Sequence, residues 1–434
     1  MNRIIQKFGD VVSKEVHANP LRARRLLTMA YSLTGWKDAR FGGSGLAGAY
    51  ARMNAVVSRY ICQAFQHPHN AAMVNVFFPC EILHAMDITP MFPEALSVYI
   101  ANSACEQVFA DAAENADVPE SFCSYHKIMI GLAETGVLPK PLLIANTTLA
   151  CDANQLSFRR LAEGFQVPHV LVDVPNHIDD DAVNHVAEQL RSVSAALEDV
   201  CHRKMDEERL RAALCISDRS IKTYREYLEL RANCSLPVTM SGELFSLAAV
   251  HVFLGTPQGE QFIDAIKEAA EKAPKNRSKK RILWLHTLPN WQDSMKTIFD
   301  KSEGCEIVGC DMTYDALCDM NPDKPYESMA KRVVYNINNG GAQRRVEAAI
   351  EYAKKLHADG VLVFCHWGCK QTQGMAQMAK KALEAEGFPV LVLDGDGCDS
   401  RNVSDGQMVT RVNAFLEQLG ACRTGGFSGP NGTP

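Results

Sequence analysis

Fifteen of the 434 residues are cysteines, and six of these stand where a thiolate could meet a metal. Cys365 and Cys369 lie in the stretch Gly360 to Gln371, G-V-L-V-F-C-H-W-G-C-K-Q. Gly360 opens a short β-branched apolar run, Val361 to Phe364, of the length expected for a buried strand. A helical pattern begins near Gln371 and runs to about Glu386. The two thiols therefore sit where a strand turns into a helix, the edge at which open α/β sheets bind ligands. Cys80 and Cys398 follow closely on two further predicted strands, Met73 to Phe78 and Pro389 to Leu393, and Cys151 comes six residues after another, Pro141 to Ala145. Cys123 opens a helix, where backbone N–H groups and the helix dipole favour a thiolate.

The other thiols read as packing residues. Cys62, Cys105, Cys201, Cys215, Cys234 and Cys422 fall within helical patterns, where a buried cysteine behaves as a small hydrophobe. Cys305 and Cys310 bound a strand and are expected in the core, while Cys318, in a loop, is an outside candidate. Met1 to Pro20 contains no apolar core ahead of a small-residue cleavage site, so a cytoplasmic location with reduced thiols is expected, not a disulfide framework. Hydrophobic content of 47%, charged content of 22% and a net charge of −6 describe an ordinary globular chain with no sign of a nucleic-acid partner or an anionic membrane surface. The longest apolar stretch, Leu244 to Leu254, is too short to span a bilayer.

A structural zinc site would normally show a C-x2-C pair with a second close pair. There is none, and Cys365, Cys369 and His366 leave zinc as a lesser reading. Thiolates gathered from distant loops suit an iron–sulfur cluster better. A cubane with one open iron needs three cysteines, and two cubanes joined through a bridging sulfide need three plus three. Six thiols fit the second count.

The elements that must position these thiols alternate. Residues 1–72 read as an N-terminal helical segment. Gly43, Gly45 and Gly48 within it match G-x-G-x-x-G, but W-K-D-A-R-F precedes them and is no strand, so a dinucleotide site is not expected. Residues 73–177 read as a first Rossmann-like α/β domain, with one helix over 94–115, another from Phe122 to Gly136, a third over 154–164 and a strand from Val167 to Val174. Residues 178–280 form a helical segment ending in the basic stretch Lys272 to Arg281, read as a solvated linker. Residues 281–421 form a second Rossmann-like domain, with strands at Arg281 to Leu285 and Cys305 to Cys310, the two strands that precede Cys365 and Cys398, and a closing helix from Gln407 to Leu419. Residues 422–434 form a flexible tail. The expected fold class is α/β: two parallel-sheet domains with a helical segment before the first and a helical insertion between them, and a metal cluster in the cleft.

Several short stretches resemble the 2-hydroxyacyl-CoA dehydratase and benzoyl-CoA reductase family. They are F-P-C-E-I-L-H-A-M-D-I-T-P at Phe78 to Pro90, C-S-Y at Cys123, C-D at Cys151, A-D-G-V-L-V at Ala358, G-D-G-C-D-S-R at Gly395 and G-Q-M-V-T-R-V-N-A-F-L-E at Gly406. The resemblance implies two Rossmann-like domains with an iron–sulfur cluster between them, its three common ligands falling on Cys123, Cys151 and Cys365. The additional thiols Cys80, Cys369 and Cys398 are similar to those of the double-cubane branch, in which an 8Fe-9S cluster replaces the single 4Fe-4S cubane. The resemblance further implies a homodimer reduced by a separate ATP-hydrolysing activator that carries its own 4Fe-4S cluster. This chain has no G-x-x-x-x-G-K-S/T loop of its own. The expected function is an iron–sulfur reductase component acting on small molecules. The alternatives are a 2-hydroxyacyl-CoA dehydratase subunit with a single cubane and a non-catalytic electron-transfer protein. His126, His366 and Lys370, beside the thiols, are candidate proton or hydrogen-bond donors, with Tyr125 in the same role. Asp396, Asp399 and Arg401 are read as holding the loop around Cys398.

Overall fold

The computed structural model describes residues 3–275 and 278–421. Cys422, the expected tail, and residues 276 and 277 of the expected linker lie outside the described residues.

Three helices, α1 (Arg3–Ala18), α2 (Pro20–Phe41) and α3 (Gly45–Gln66), precede the first sheet. That sheet contains β1 (Ala71–Val74), β2 (Thr89–Met91), β3 (Leu143–Thr147) and β4 (His169–Val172), all parallel, in the order β2-β1-β3-β4. Its helices are α4 (Glu81–Ala85), α5 (Pro93–Asn102), α6 (Glu106–Glu114), α7 (Ser124–Glu134) and α8 (Asp152–Phe165). The helical insertion comprises α9 (Asp180–Cys201), α10 (Glu207–Arg231), α11 (Met240–Val250) and α12 (Pro257–Lys272), and α12 packs back on both α10 and α3. The second sheet contains β5 (Lys280–Leu285), β6 (Cys305–Cys310), β7 (Gly360–His366) and β8 (Val390–Gly395), again all parallel, in the order β6-β5-β7-β8. It carries α13 (Asp293–Phe299), α14 (Pro325–Val334), α15 (Ala342–Lys355), α16 (Lys370–Ala385) and α17 (Asp405–Gln418). The expected α/β fold with two Rossmann-like parallel sheets is therefore the observed one.

Parallel strands covered on both faces read as continuous apolar runs, and β7 shows why. Val361, Val363 and Cys365 point into one core, while Leu362 and Phe364 point into another with Trp284 and Met408. Successive side chains alternate faces with period two, so both registers must be apolar.

Four local departures have physical causes. β1 stops at Val74 because the Asn75 side chain turns across to β3, donating to Thr147 Oγ1 and accepting from Thr147 N at 3.2 and 3.0 Å. The helix expected over 94–115 breaks into α5 and α6 at Ala104, whose φ is +54°. That knuckle is where α1 docks, since a Cβ on Gly9 would lie 2.1 Å from the Ala104 carbonyl oxygen. β2 was not expected, because Pro90 masks it. It is a three-residue edge strand, the one place in a sheet where proline is tolerated. Arg281, the shared end of the basic stretch read as solvated and of the expected strand Arg281 to Leu285, lies in the strand, buried inside β5, paired with Glu306 at 3.0 Å and donating to the carbonyls of Arg231, Cys234 and Leu356.

Candidate functional site: three thiols and three imidazoles at the strand ends

In both sheets the strand order reverses between the first and third strands in sequence, β1/β3 and β5/β7. Loops leaving the carboxyl ends of such a pair splay apart and open a crevice. The two crevices contribute to one cavity of about 1050 Å³. One wall is apolar, from α1, α2 and α3, including Phe8, Tyr31 and Val57; the polar end carries Cys123, Cys151, Cys369, His286, His366 and Arg345.

The three cavity-lining thiols share a local structure. Cys123, Cys151 and Cys369 are the N-cap residues of α7, α8 and α16, and none makes a side-chain capping hydrogen bond. Serine, threonine, asparagine or aspartate at such a place would stabilise each helix by about 1 kcal/mol. Three caps thus forgo that gain and set sulfur beside helix N-termini, where the dipole favours negative charge. Burial pushes the Cys123 thiol well up, and nearby Cys151 and Cys369 add to it, so these sulfurs lie within each other's electrostatic reach. The Cys151 thiol is pushed up to about 12, mainly by burial. A metal would reverse this preference, since coordination deprotonates a thiol outright.

Each of these thiols faces its own imidazole, buried in His126 and His366 and half-buried in His286. Cys123 Sγ lies 3.2 Å from His366 Nε2, Cys151 Sγ 3.7 Å from His126 Nε2, and Cys369 Sγ 3.4 Å from His286 Nε2. Burial pushes His126 and His286 down to about 3 and lowers His366 as well, so all three rings are neutral near pH 7. Their tautomers differ. Gly397 N–H donates to His366 Nδ1 at 3.0 Å, which leaves Nε2 as the N–H that donates to Cys123. Ser157 Oγ gives its proton to the Ala153 carbonyl and accepts from His126 Nδ1 at 2.9 Å, so His126 Nε2 is an acceptor toward Cys151.

The other three expected ligand residues sit farther back. Cys365, in β7, is within electrostatic reach of Cys369; burial and then Asp394 and Cys369 push its thiol up to about 11. Cys398 is fully buried, with burial and the charges of Asp396 and Cys123 raising its pKa and a hydrogen bond from Tyr125 opposing them. Cys80 caps the short α4, where burial, Glu81 and Glu94 raise its pKa and Arg332 opposes them. Of the candidate donors, His126, His366 and Tyr125 line the cavity in the interior, and Lys370 is exposed at its rim. Asp396 and Asp399 do hold the Cys398 loop: Asp396 Oδ1 accepts from the N–H groups of Cys398 and Asp399, and Arg401 pairs with Asp399 at 2.7 Å. Among the described residues no three His, Cys, Asp or Glu side chains converge tightly enough to grip a single metal ion.

His286, Glu94 and Arg345 are among the lining residues that the sequence reading missed. His286 follows β5 directly, the strand-end position that singled out the cysteines, and that rule would have found it. Glu94 had no such signal, being one acidic residue in the first turn of α5. Its Oε1 accepts from Val76 N at 3.3 Å, its Oε2 is buried without a partner among the described residues, and burial raises its pKa to about 7.

Relatives of this chain share the same arc of sequence. The family described as 2-hydroxyglutaryl-CoA dehydratase, D-component, matches residues 75–419, leaving α1 to α3 and β1 outside the match. Lactoyl-CoA dehydratase subunit alpha of Anaerotignum propionicum is 24% identical over 378 residues, 79% of this chain and 89% of the relative. The (R)-phenyllactyl-CoA dehydratase alpha subunit of Clostridium sporogenes is 24% identical, with 79% of this chain and 88% of the relative covered. The (R)-2-hydroxyglutaryl-CoA dehydratase alpha subunit of Acidaminococcus fermentans is also 24% identical, over 65% of this chain and 61% of its own. The family match takes in seven of the eight strands, all but β1, and every one of the six thiols, and by it this chain belongs to the 2-hydroxyglutaryl-CoA dehydratase D-component family.

Proposed function

We propose that the chain is the cluster-bearing component of an iron–sulfur enzyme, holding an 8Fe-9S double cubane between its two sheets through Cys80, Cys123, Cys151, Cys365, Cys369 and Cys398. The observation that carries this reading is the neighbourhood of thiols around the cavity's polar end. Cys123 lies within electrostatic reach of Cys151, Cys369 and Cys398, and Cys369 within reach of Cys365. The donor set fits such a group. It consists of unpaired cysteines, and spacing too wide for a single ion suits a cluster, whose irons spread their thiolate ligands over several ångströms.

When bound, the cluster supplies low-potential one-electron chemistry on a small substrate. The chain buries the sulfurs, donates N–H from His366 to Cys123 and keeps water from the cavity's apolar wall. Electrons come from a separate ATP-hydrolysing activator that carries a 4Fe-4S cluster, and the working form is a homodimer.

A second reading is favoured by a specific observation: only Cys123, Cys151 and Cys369, among the six thiols, line the cavity. Three thiolates leave one iron of a 4Fe-4S cubane open, which suits a 2-hydroxyacyl-CoA dehydratase subunit, the activity in the relatives' names. Iron counting on anaerobically purified protein separates the two, with about eight irons per chain for the double cubane and about four for the single one. The first reading expects Cys80→Ala and Cys398→Ala to lose iron. A count near four that survives both substitutions establishes the second reading, and an iron-free anaerobic protein defeats both.

A further inference from the structure

We infer that His286 is a positioning residue for Cys369, donating its Nε2–H to that sulfur and thereby raising the reduction potential of the cluster bound through it. The inference rests on the iron–sulfur reading above.

His286 occupies a backbone conformation that its side chain makes expensive. Its φ is +82°, in the left-handed region where an L-residue costs roughly 1–2 kcal/mol and glycine costs almost nothing. Non-glycine residues persist there when their surroundings over-determine them, and they cluster at functional sites. Here the surroundings form a closed circuit. His286 N–H donates to Asp311 Oδ1 at 2.6 Å. Asp311 Oδ2 accepts from Arg345 Nε at 2.7 Å, and Arg345 Nη1 donates to Thr372 Oγ1 at 3.2 Å. Thr372 Oγ1 lies 3.7 Å from Cys369 Sγ, and that sulfur is 3.4 Å from His286 Nε2. Asp311, Arg345 and Thr372 are all buried. The Cys310 thiol, next to Asp311 in sequence, donates to the His286 carbonyl at 3.2 Å. Four separate segments thus converge to hold one imidazole against one sulfur.

The ring's tautomer follows from its other nitrogen. His286 Nδ1 is buried with no hydrogen-bond partner among the described residues. A buried N–H without an acceptor is less tolerated than a bare lone pair, so the proton sits on Nε2 and points at Cys369. An N–H donated to a cluster sulfur stabilises the more negative, reduced state, one of the levers that set iron–sulfur potentials.

The test uses the full-length, anaerobically prepared protein and three measurements: iron per chain, midpoint potential by spectroscopic reductive titration, and thermal unfolding of the iron-free form. His286→Gly removes the donor and the strain together. His286→Asn keeps a residue that tolerates the left-handed region but cannot reach Cys369. Both variants should fold, with His286→Gly unfolding no lower than the parent, and both should bind iron at a potential below the parent's. A tenfold loss of preference for the reduced state reads as about 59 mV for a one-electron couple. Iron-loaded variants at the parent's potential overturn the inference and leave the iron–sulfur reading intact, and failure of both variants to fold overturns it too. A parent protein without iron overturns the underlying reading, and this inference with it.

Discussion

Glu94 shows how a single side chain carries information about the cavity. Burial raises its carboxyl from the ordinary 4.5 to about 7, so the folded chain keeps a proton that the unfolded chain releases. Stability of the iron-free protein then falls as pH rises from about 4.5 to 7, by up to roughly 3 kcal/mol, and stays at the lower level above that. Glu94→Gln should remove this decline. The variant should unfold at higher denaturant than the parent at pH 8 and match it near pH 4, and an equal difference at both pH values would refute the assignment. Gly368 makes a sharper case. Its φ is +79°, and a Cβ there would lie 2.6 Å from the Cys123 backbone nitrogen. Gly368→Ala therefore combines left-handed strain with a backbone clash and should destabilise by more than about 2 kcal/mol in denaturant titrations. Gly374→Ala, in the same loop-and-helix unit with nothing near its Cβ, should instead gain about 0.5–1 kcal/mol. The thiols were legible in the sequence because cysteines at strand ends are rare and their positions can be counted. Glu94, Asp311 and Arg345 were not, because a lone charged residue carries no mark of burial, and theirs comes from chain segments distant in sequence.

At the scale of elements, the recurring device is a helix begun by a thiol. α4, α7, α8 and α16 all start on cysteine, so the backbone N–H groups that open each helix point toward the region where negative sulfur would gather. α4 is too short to hold itself, and an ion pair fixes it. Arg332 of α14 grips Glu81 through Nη1–Oε1 at 2.7 Å and Nη2–Oε2 at 2.8 Å, and Ser217 of α10 donates to Glu81 Oε1 at 2.9 Å. Both charged side chains are buried. Arg332→Met strands a carboxylate in the interior and should cost about 3–5 kcal/mol, whereas Glu81→Gln with Arg332→Met should recover much of it. Chemical denaturation of the two variants checks this, and equal losses would refute it. Strands β5, β6, β7 and β8 were legible because apolar runs of strand length end at glycine, proline or charged residues. What failed locally were cases where tertiary packing overruled the local pattern. Arg281 opens an expected strand but also closes a basic stretch that reads as solvated, and three carbonyls and Glu306 receive it in the interior. The break between α5 and α6 is set by the approach of α1 at Gly9, which no local pattern announces.

Over the whole molecule the two sheets repeat one plan. Each has the strand order second, first, third, fourth, and each sends a cysteine-capped helix from its third strand, Cys151 after β3 and Cys369 after β7. The loops after the first strands differ, one leading to Cys80 and the other beginning with His286. A buried ion pair also crosses between the halves: Lys127 of α7 reaches Asp399 beyond β8 at 3.5 Å, while within its own half it pairs with Glu114 of α6 at 2.8 Å. The contact at Gly368 carries this further. With the β7–α16 turn seated directly on the Cys123 backbone, the neighbourhood of Cys123 and Cys369 exists only while the two halves are closed upon each other. Whatever occupies that neighbourhood binds the closed form alone, and by mass action its affinity is added to the energy that keeps the halves together. Occupancy and closure are then a single equilibrium, in which the contents of the cleft serve as its latch.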